Sequence, residues 1–194
     1  MEPFVEPLDA LRLDVEALLH AYALVSDRVA PVVAARGGDR LRAISLTHRP
    51  GAADPFADGN ASQFDAAGGK AYREADFSCF HESFRDTYFW TVYEQLPFAV
   101  GRMRLMVLPP LTVYGMHRDG TRRAHIAITT NPDCRLVSRV GVTAHVPVDG
   151  RVYVVDTLTD HTAFNAGTTE RIHLVMSMSD TEAGEPDAGG AVSR

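Results

Sequence analysis

Residues 102–132 read RMRLMVLPPLTVYGMHRDGTRRAHIAITTNP, and this stretch decides the fold. Three short apolar runs are separated by Pro109-Pro110 and by the polar turn that follows Met116. Such runs, bounded by turn residues, are strands too short for helices. The same texture continues in both directions, with predicted strands over 101–108, 111–116, 124–130, 135–140, 143–148, 152–155 and 171–178. In the last of these Ile172, Leu174, Met176 and Met178 alternate with Arg171, His173, Val175 and Ser177, the period of a strand whose two faces differ. Many short strands at this spacing imply a sandwich or barrel rather than alternating βαβ units.

Upstream the pattern changes. Leu8, Leu11, Val15, Leu18, Leu19 and Tyr22 recur at helical spacing and predict a helix over 7–23, with Pro7 in its first turn. Ser26-Asp27 reads as the cap of a second helix, which Arg36-Gly37-Gly38 ends. Residues 41–47 look like a strand. Residues 48–69, rich in Gly, Asp, Asn and Pro, predict a long loop of the kind that serves as a lid or binding loop. Phe84, Tyr88, Phe89, Val92 and Leu96 restore helical spacing up to Pro97. The expected plan is one domain over 1–180. It has a helix-rich part over 1–96 and a β core over 97–180, followed by a tail over 181–194 whose composition predicts disorder.

Composition narrows the function. A chain of 194 residues with 45% apolar residues supports one core of ordinary size. A net charge of -6 argues against a nucleic-acid surface or an anionic membrane as partner. Cys79 and Cys134 are too few for a disulfide framework or a structural zinc site. They read as free thiols in a reducing compartment. The start, MEPFVEPLDA, lacks the features of a secretory signal. No apolar stretch is read as approaching a membrane span, and the expectation is a cytoplasmic protein.

The chemistry starts at His117-Arg118-Asp119. Residues two apart in an extended chain project to one face, so an imidazole and a carboxylate there can grip one ion from adjacent corners. A second histidine from a distant strand would complete a two-histidine, one-carboxylate set with open positions, the arrangement suited to non-haem Fe(II). His161, after the turn-like run 156–160, is the candidate. Arg171 follows ten positions later, at the start of the last strand. An arginine inside a β-sandwich needs a carboxylate to meet it, and the far carboxylate of 2-oxoglutarate would do so with a bidentate bond. His125 and His173 lie in strands and also fit satisfied core histidines.

Residues 102–132, together with GRVYVVDTLTDHTAFNAGTTERIHLVMSM at 150–178, resemble the aspartyl/asparaginyl β-hydroxylase-like branch of the 2-oxoglutarate oxygenases, which includes hydroxylases of free proline. The resemblance implies a double-stranded β-helix, or jelly roll, backed by N-terminal helices. It implies His117, Asp119 and His161 as iron ligands, Arg171 as the anchor of 2-oxoglutarate, and Fe(II), 2-oxoglutarate and O₂ as cofactors. Asp119 matches the proline-hydroxylase members; the peptidyl-aspartyl enzymes lack that carboxylate. Arg123-Ala124-His125 matches an Arg-x-His pair whose members contact cosubstrate or substrate. Asn165 matches an Asn for which a turn role and a pocket role both stand. Where the family often closes its last strand with Asp, this chain has Met176-Ser177-Met178, which bears on substrate preference.

The implied activity is hydroxylation of a C–H bond in a free amino acid or a residue of a small peptide, with release of succinate and CO₂. Hydroxylation of a ribosomal peptide or protein is the alternative. A cupin-like isomerase, lyase or small-molecule sensor is the more distant one, and it would have no need of Arg171. Arg118, Arg122 and Arg123 read either as a solvated basic turn or as a clamp for a substrate carboxylate. Tyr72 and Arg73, after the Gly-rich loop, are candidates to close over the substrate.

Overall fold

The computed structural model describes residues 3–35, 42–61 and 72–179. The first element is a strand, β1 (Val5–Arg12), and only then comes a helix, α1 (Val15–Ala35). The helical spacing of Leu8, Leu11, Val15 and Leu18 is therefore a coincidence across a strand–helix junction. Pro7 sits in β1 at the edge of a sheet, where a missing N–H interrupts no ladder. The true helix start is at Asp14, whose side chain accepts from the Ala17 amide at 3.0 Å. Ser26-Asp27 caps nothing, because α1 runs through it and through Pro31. At 21 residues α1 is also long and apolar enough to cross a membrane by length and composition, which corrects the reading that no such stretch exists. Here it turns a stripe of Leu18, Ala21, Val25, Val29 and Val33 inward.

The predicted strand at 41–47 resolves into β2 (Ala43–Ser45) and β3 (Thr47–His48). The expected loop holds a short helix, α2 (Pro55–Asn60), which Asp54 caps at the Ala57 amide, 2.9 Å, with proline in the first turn. Arg36-Gly37-Gly38, Leu41, the second half of that loop and the tail after Ser179 lie outside the described residues. β4 (Cys79–Phe80) pairs with β3, and α3 (Tyr88–Gln95) follows.

The β core then runs β5 (Val100–Leu108), β6 (Thr112–Val113), β7 (Arg123–Thr129), β8 (Cys134–Ser138), β9 (Thr143–Ala144), β10 (Arg151–Val155), β11 (His161–Asn165) and β12 (Arg171–Met178). β6 and β9 are shorter than the apolar runs at 111–116 and 143–148 predicted. A six-stranded sheet in the order β1-β10-β7-β12-β5-β2 faces a four-stranded sheet in the order β6-β11-β8-β9. All pairings are antiparallel. This is a double-stranded β-helix with helices packed behind the large sheet.

Alternation along the three central strands separates two interiors. Met103, Leu105 and Val107 of β5, Ala124, Ile126 and Ile128 of β7, and Ile172, Leu174 and Met176 of β12 join the main core with α1 and α3. The alternate residues face the small sheet. There a smaller apolar cluster of Leu108, Ala127, Leu136, Val146, Tyr153, Val155 and Ala163 leaves room for a cavity of ≈ 110 Å³. That cavity is the site.

Candidate metal centre

His117 and His161 lie opposite each other. The His117 amide donates to the His161 carbonyl at 3.0 Å, and the His161 amide donates back to the His117 carbonyl at 2.8 Å. Two residues on, the Asp119 amide donates to the Thr157 carbonyl at 2.9 Å. The Thr157 hydroxyl donates to the Thr121 carbonyl at 2.7 Å. Main-chain bonds thus stitch the segment after β6 to the segment before β11. The two imidazole rings have centroids 4.4 Å apart. One ligand atom from each of His117, Asp119 and His161 lies within 4.8 Å of the others.

Each imidazole is oriented by its own chain. His117 Nδ1 lies 2.7 Å from the Gly115 carbonyl, and His161 Nδ1 lies 3.0 Å from the Thr159 carbonyl. A carbonyl can only accept, so both Nδ1 atoms carry the proton and both Nε2 lone pairs are free for a metal. Burial pushes the pKa of His161 below the usual value, against the opposing pull of the Thr159 carbonyl and Asp119, which keeps the ring neutral as a ligand must be. For Asp119, burial works upward, but the Arg123 guanidinium outweighs it and holds the carboxyl below the ordinary range. Two imidazoles and a carboxylate on one side of a cavity fit an ion such as Fe(II) that keeps open positions.

The rest of the cavity explains the other predicted residues. Arg171 is 3% exposed, lines the cavity and leaves its Nε without a partner. A buried guanidinium in that state fits an incoming carboxylate, the test that a 2-oxoglutarate site must pass. His125 lines the same wall, with Nδ1 3.4 Å from Nδ1 of His173, whose Nε2 has no partner. Burial and then Arg171 push the pKa of His125 down to about 3, and His173 also falls well below the usual value, so both rings are neutral.

The arginines of the basic turn separate. Arg123 is buried, bonding Asp119 at 2.9 Å and approaching Glu74 at 3.3 Å. Arg118 is exposed and pairs with Asp160 at 3.3 Å, outside the cavity wall. Arg122 does not line the cavity, and its carbonyl accepts from the Met178 amide at 3.0 Å. Asn165 serves the turn after β11. Its amide donates to the carbonyls of Leu108 at 3.0 Å and Thr169 at 2.8 Å, and its oxygen accepts from Asn131 and Gly167. Tyr72 lies under the Arg49 guanidinium at 3.5 Å, and Arg73 pairs with Asp76 at 3.1 Å. Neither lines the cavity.

Two residues were missed by the sequence reading. Glu74, 1% exposed in the turn Glu74–Asp76, backs Arg123 and belongs to no motif. Arg104 of β5 lines the cavity. The signal that singled out Arg171, an arginine at an inward position of an apolar strand, applies equally to Arg104.

Comparisons agree with this architecture. Residues 87–181 match the family described as aspartyl/asparaginyl beta-hydroxylase, the branch that the motifs resemble. That stretch holds every ligand of the candidate centre together with Arg104, Arg123, His125 and Arg171. No curated protein matches the sequence. Among solved structures, AviO1 from Streptomyces viridochromogenes Tue57 superposes over 94% of this chain and 92% of its own, at 16% identity and a TM-score of 0.52. That likeness shows a common fold. A Pseudomonas putida prolyl-4-hydroxylase covers 93% of this chain and 94% of its own, at 17% identity and a TM-score of 0.46. The viral collagen prolyl hydroxylase vCPH from Paramecium Bursaria Chlorella virus-1 covers 90% and 96%, at 9% identity and a TM-score of 0.49.

Proposed function

We propose that this chain, a hydroxylase of the aspartyl/asparaginyl β-hydroxylase type across residues 87–181, is an Fe(II)- and 2-oxoglutarate-dependent oxygenase. Its substrate on this reading is a free amino acid or an amino-acid residue in a small peptide. The observation that carries the reading is one cavity holding both the His117, Asp119 and His161 ligand set and the buried Arg171, whose Nε has no hydrogen-bond partner among the described residues. A metal site alone would suit a cupin-like isomerase or sensor equally. A buried guanidinium beside it favours the oxygenase reading, because an anionic cosubstrate would supply the counter-charge that it lacks.

When bound at this site, Fe(II) and 2-oxoglutarate would supply the activation of O₂ for converting a substrate C–H to C–OH, with succinate and CO₂ as the other products. The protein's part is positional. His117, Asp119 and His161 hold the ion on one side, with Asp119 kept ionised and aimed by Arg123. Arg171 receives the distal carboxylate of the cosubstrate through a two-pronged bond. Neutral His125 and His173 beside Arg171 add no positive charge to that end. The apolar residues Leu136, Ala163 and Val175 line the remaining wall and limit water at the reacting carbon. The two free thiols, Cys79 and Cys134, suit a reducing cytoplasm as the working compartment.

The test is spectroscopic and needs no substrate. Protein reconstituted with Fe(II) under anaerobic conditions is expected to develop a visible metal-to-ligand charge-transfer band on addition of 2-oxoglutarate. Arg171→Leu is expected to lose the band while still binding iron. Iron binding with no band in the unsubstituted protein would point to the cupin-like reading instead.

A further inference from the structure

We infer that Glu74 is a positioning residue for the metal centre: it neutralises Arg123, so that Arg123 aims Asp119 without repelling the ion. The inference rests on the metal-centre part of the reading above, and it brings in a residue from outside the stretch 87–181 that matches the family. Glu74 is 1% exposed, in the short turn Glu74–Asp76. A carboxylate so deeply buried needs a counter-charge. Its Oε2 stands 3.3 Å from Arg123 Nη1, and neither oxygen has a hydrogen-bond partner among the described residues. Charge therefore holds it in place, with Arg102 and Arg104 acting on the same carboxylate.

The turn does not need this carboxylate for itself. The Arg73 amide donates to Asp76 Oδ2 at 2.9 Å and the Arg73 guanidinium pairs with Oδ1 at 3.1 Å, which closes the turn from its two ends. A Cβ on Gly101 of β5 would collide with the Glu74 carbonyl, so glycine at that position lets the turn lie directly on the sheet. Beside it, Arg102 donates to the Gly59 carbonyl at 2.8 and 3.0 Å and lies 4.2 Å over the Phe77 ring, which holds the far side of the turn. The Glu74 side chain is left to face Arg123.

Charge runs in a line from Glu74 through Arg123 to Asp119. Arg123 meets Glu74 with Nη1, and its Nε donates to Asp119 Oδ2 at 2.9 Å. The same Oδ2 lies 3.8 Å from His161 Nε2, on the side where the ligand atoms converge. A guanidinium so placed orients the carboxylate and also competes with a divalent ion for it. In a buried site that repulsion is poorly screened. Glu74 cancels it from behind and leaves the directed bond. Two carboxylates and one guanidinium then present one net negative charge to the ion; with Glu74 made neutral they would present none.

The experiment titrates the full chain, freed of metal, with Mn(II) alone and counts the free ion by its EPR signal. Glu74→Gln is expected to weaken binding about tenfold to a hundredfold. Glu74→Asp, which keeps the charge, is expected to recover most of that loss. A packing role predicts the opposite order, because glutamine keeps the shape of glutamate and aspartate does not. Action through Arg123 is tested in an Arg123→Gln background, where adding Glu74→Gln is expected to change the affinity by less than about threefold. With Fe(II) and 2-oxoglutarate under argon, Glu74→Gln is expected to need more iron to reach the full charge-transfer band, and to reach it. Full Mn(II) affinity in Glu74→Gln, tighter binding in Glu74→Gln than in Glu74→Asp, or the same loss in both Arg123 backgrounds overturns the inference. So does a band that stays weak at saturating iron, which would place the effect on the cosubstrate. Should Glu74→Gln alone fail to fold, the double variant, which leaves neither of these two charges unpaired, is compared with Arg123→Gln, and a large loss there overturns the inference too. Failure of the unsubstituted protein to bind Mn(II) removes the metal centre, and this inference with it; metal binding without a 2-oxoglutarate band removes the oxygenase reading alone.

Discussion

The two faces of the large sheet are made by the same strands and follow opposite rules. On the helix side, β5, β7 and β12 present Met103, Leu105, Val107, Ala124, Ile126, Ile128, Ile172, Leu174 and Met176, all apolar and buried. One residue along, the same strands present Arg104, Arg123, His125 and Arg171 to the cavity, with His173 beside His125, also largely buried. The first face lowers the free energy of folding by removing apolar area from water. The second raises it, because it desolvates cations and imidazoles and leaves Arg171 Nε and His173 Nε2 without partners. A domain keeps such a face for chemistry, and the helix-side core offsets its cost.

Matched substitutions give the sharpest break between the faces. His161→Ala, on the cavity side, is expected to abolish iron binding and 2-oxoglutarate turnover while changing thermal stability little. Leu174→Ala, fully buried on the other side of β12, is expected to cost about 2–5 kcal/mol of stability while the protein that remains folded still binds iron. Metal content and Tm measured on both variants check the contrast. If Leu174→Ala lost iron without losing stability, the separation of the faces would be wrong.

Acid is the next lever, and it acts on the cavity side. His125 and His173 have folded pKa values below the unfolded value of about 6.5. The unfolded chain therefore binds more protons in that range. Their contribution is fully present above about pH 6.5 and drains as the pH falls towards the folded value, about 3 for His125. Each histidine is expected to add a slope of about 1.4 kcal/mol per pH unit. Urea midpoints at a series of pH values, for the unsubstituted protein and for His125→Gln, test this. The variant should show the shallower dependence by about one proton.

The smallest effect is expected at Arg118. Its guanidinium is exposed and pairs with Asp160 at the surface, where such a pair contributes little. Arg118→Gln should leave Tm, iron content and the charge-transfer band unchanged within error, whereas a lost band would move the cavity boundary outward.

The same contrast explains what the sequence made legible. The β core could be read because alternation and turn residues coincide from Val100 onward, and the predicted last strand, 171–178, agrees with β12 to the residue. The centre was legible because His-x-Asp is local and because an arginine inside a strand needs an explanation. β1 was misread because an edge strand with Pro7 carries no alternation strong enough to outweigh Leu8, Leu11, Val15 and Leu18. Glu74 was invisible because only the tertiary fold brings it behind Arg123. The three arginines 118, 122 and 123 looked alike in sequence. Burial, which no local pattern reveals, separates Arg123 from Arg118.

The reciprocal amide bonds between His117 and His161 have a consequence for how such an enzyme diversifies. The spacing of the two imidazoles is fixed by main-chain groups that every residue type but proline possesses, and each ring takes its tautomer from a carbonyl two positions upstream. The rest of the cavity wall, by contrast, is made by side chains on the inner face of the sheet, each replaceable on its own. The candidate metal centre is thus anchored by backbone and the cavity wall by side chains, so the wall can change residue by residue without moving His117 and His161 apart.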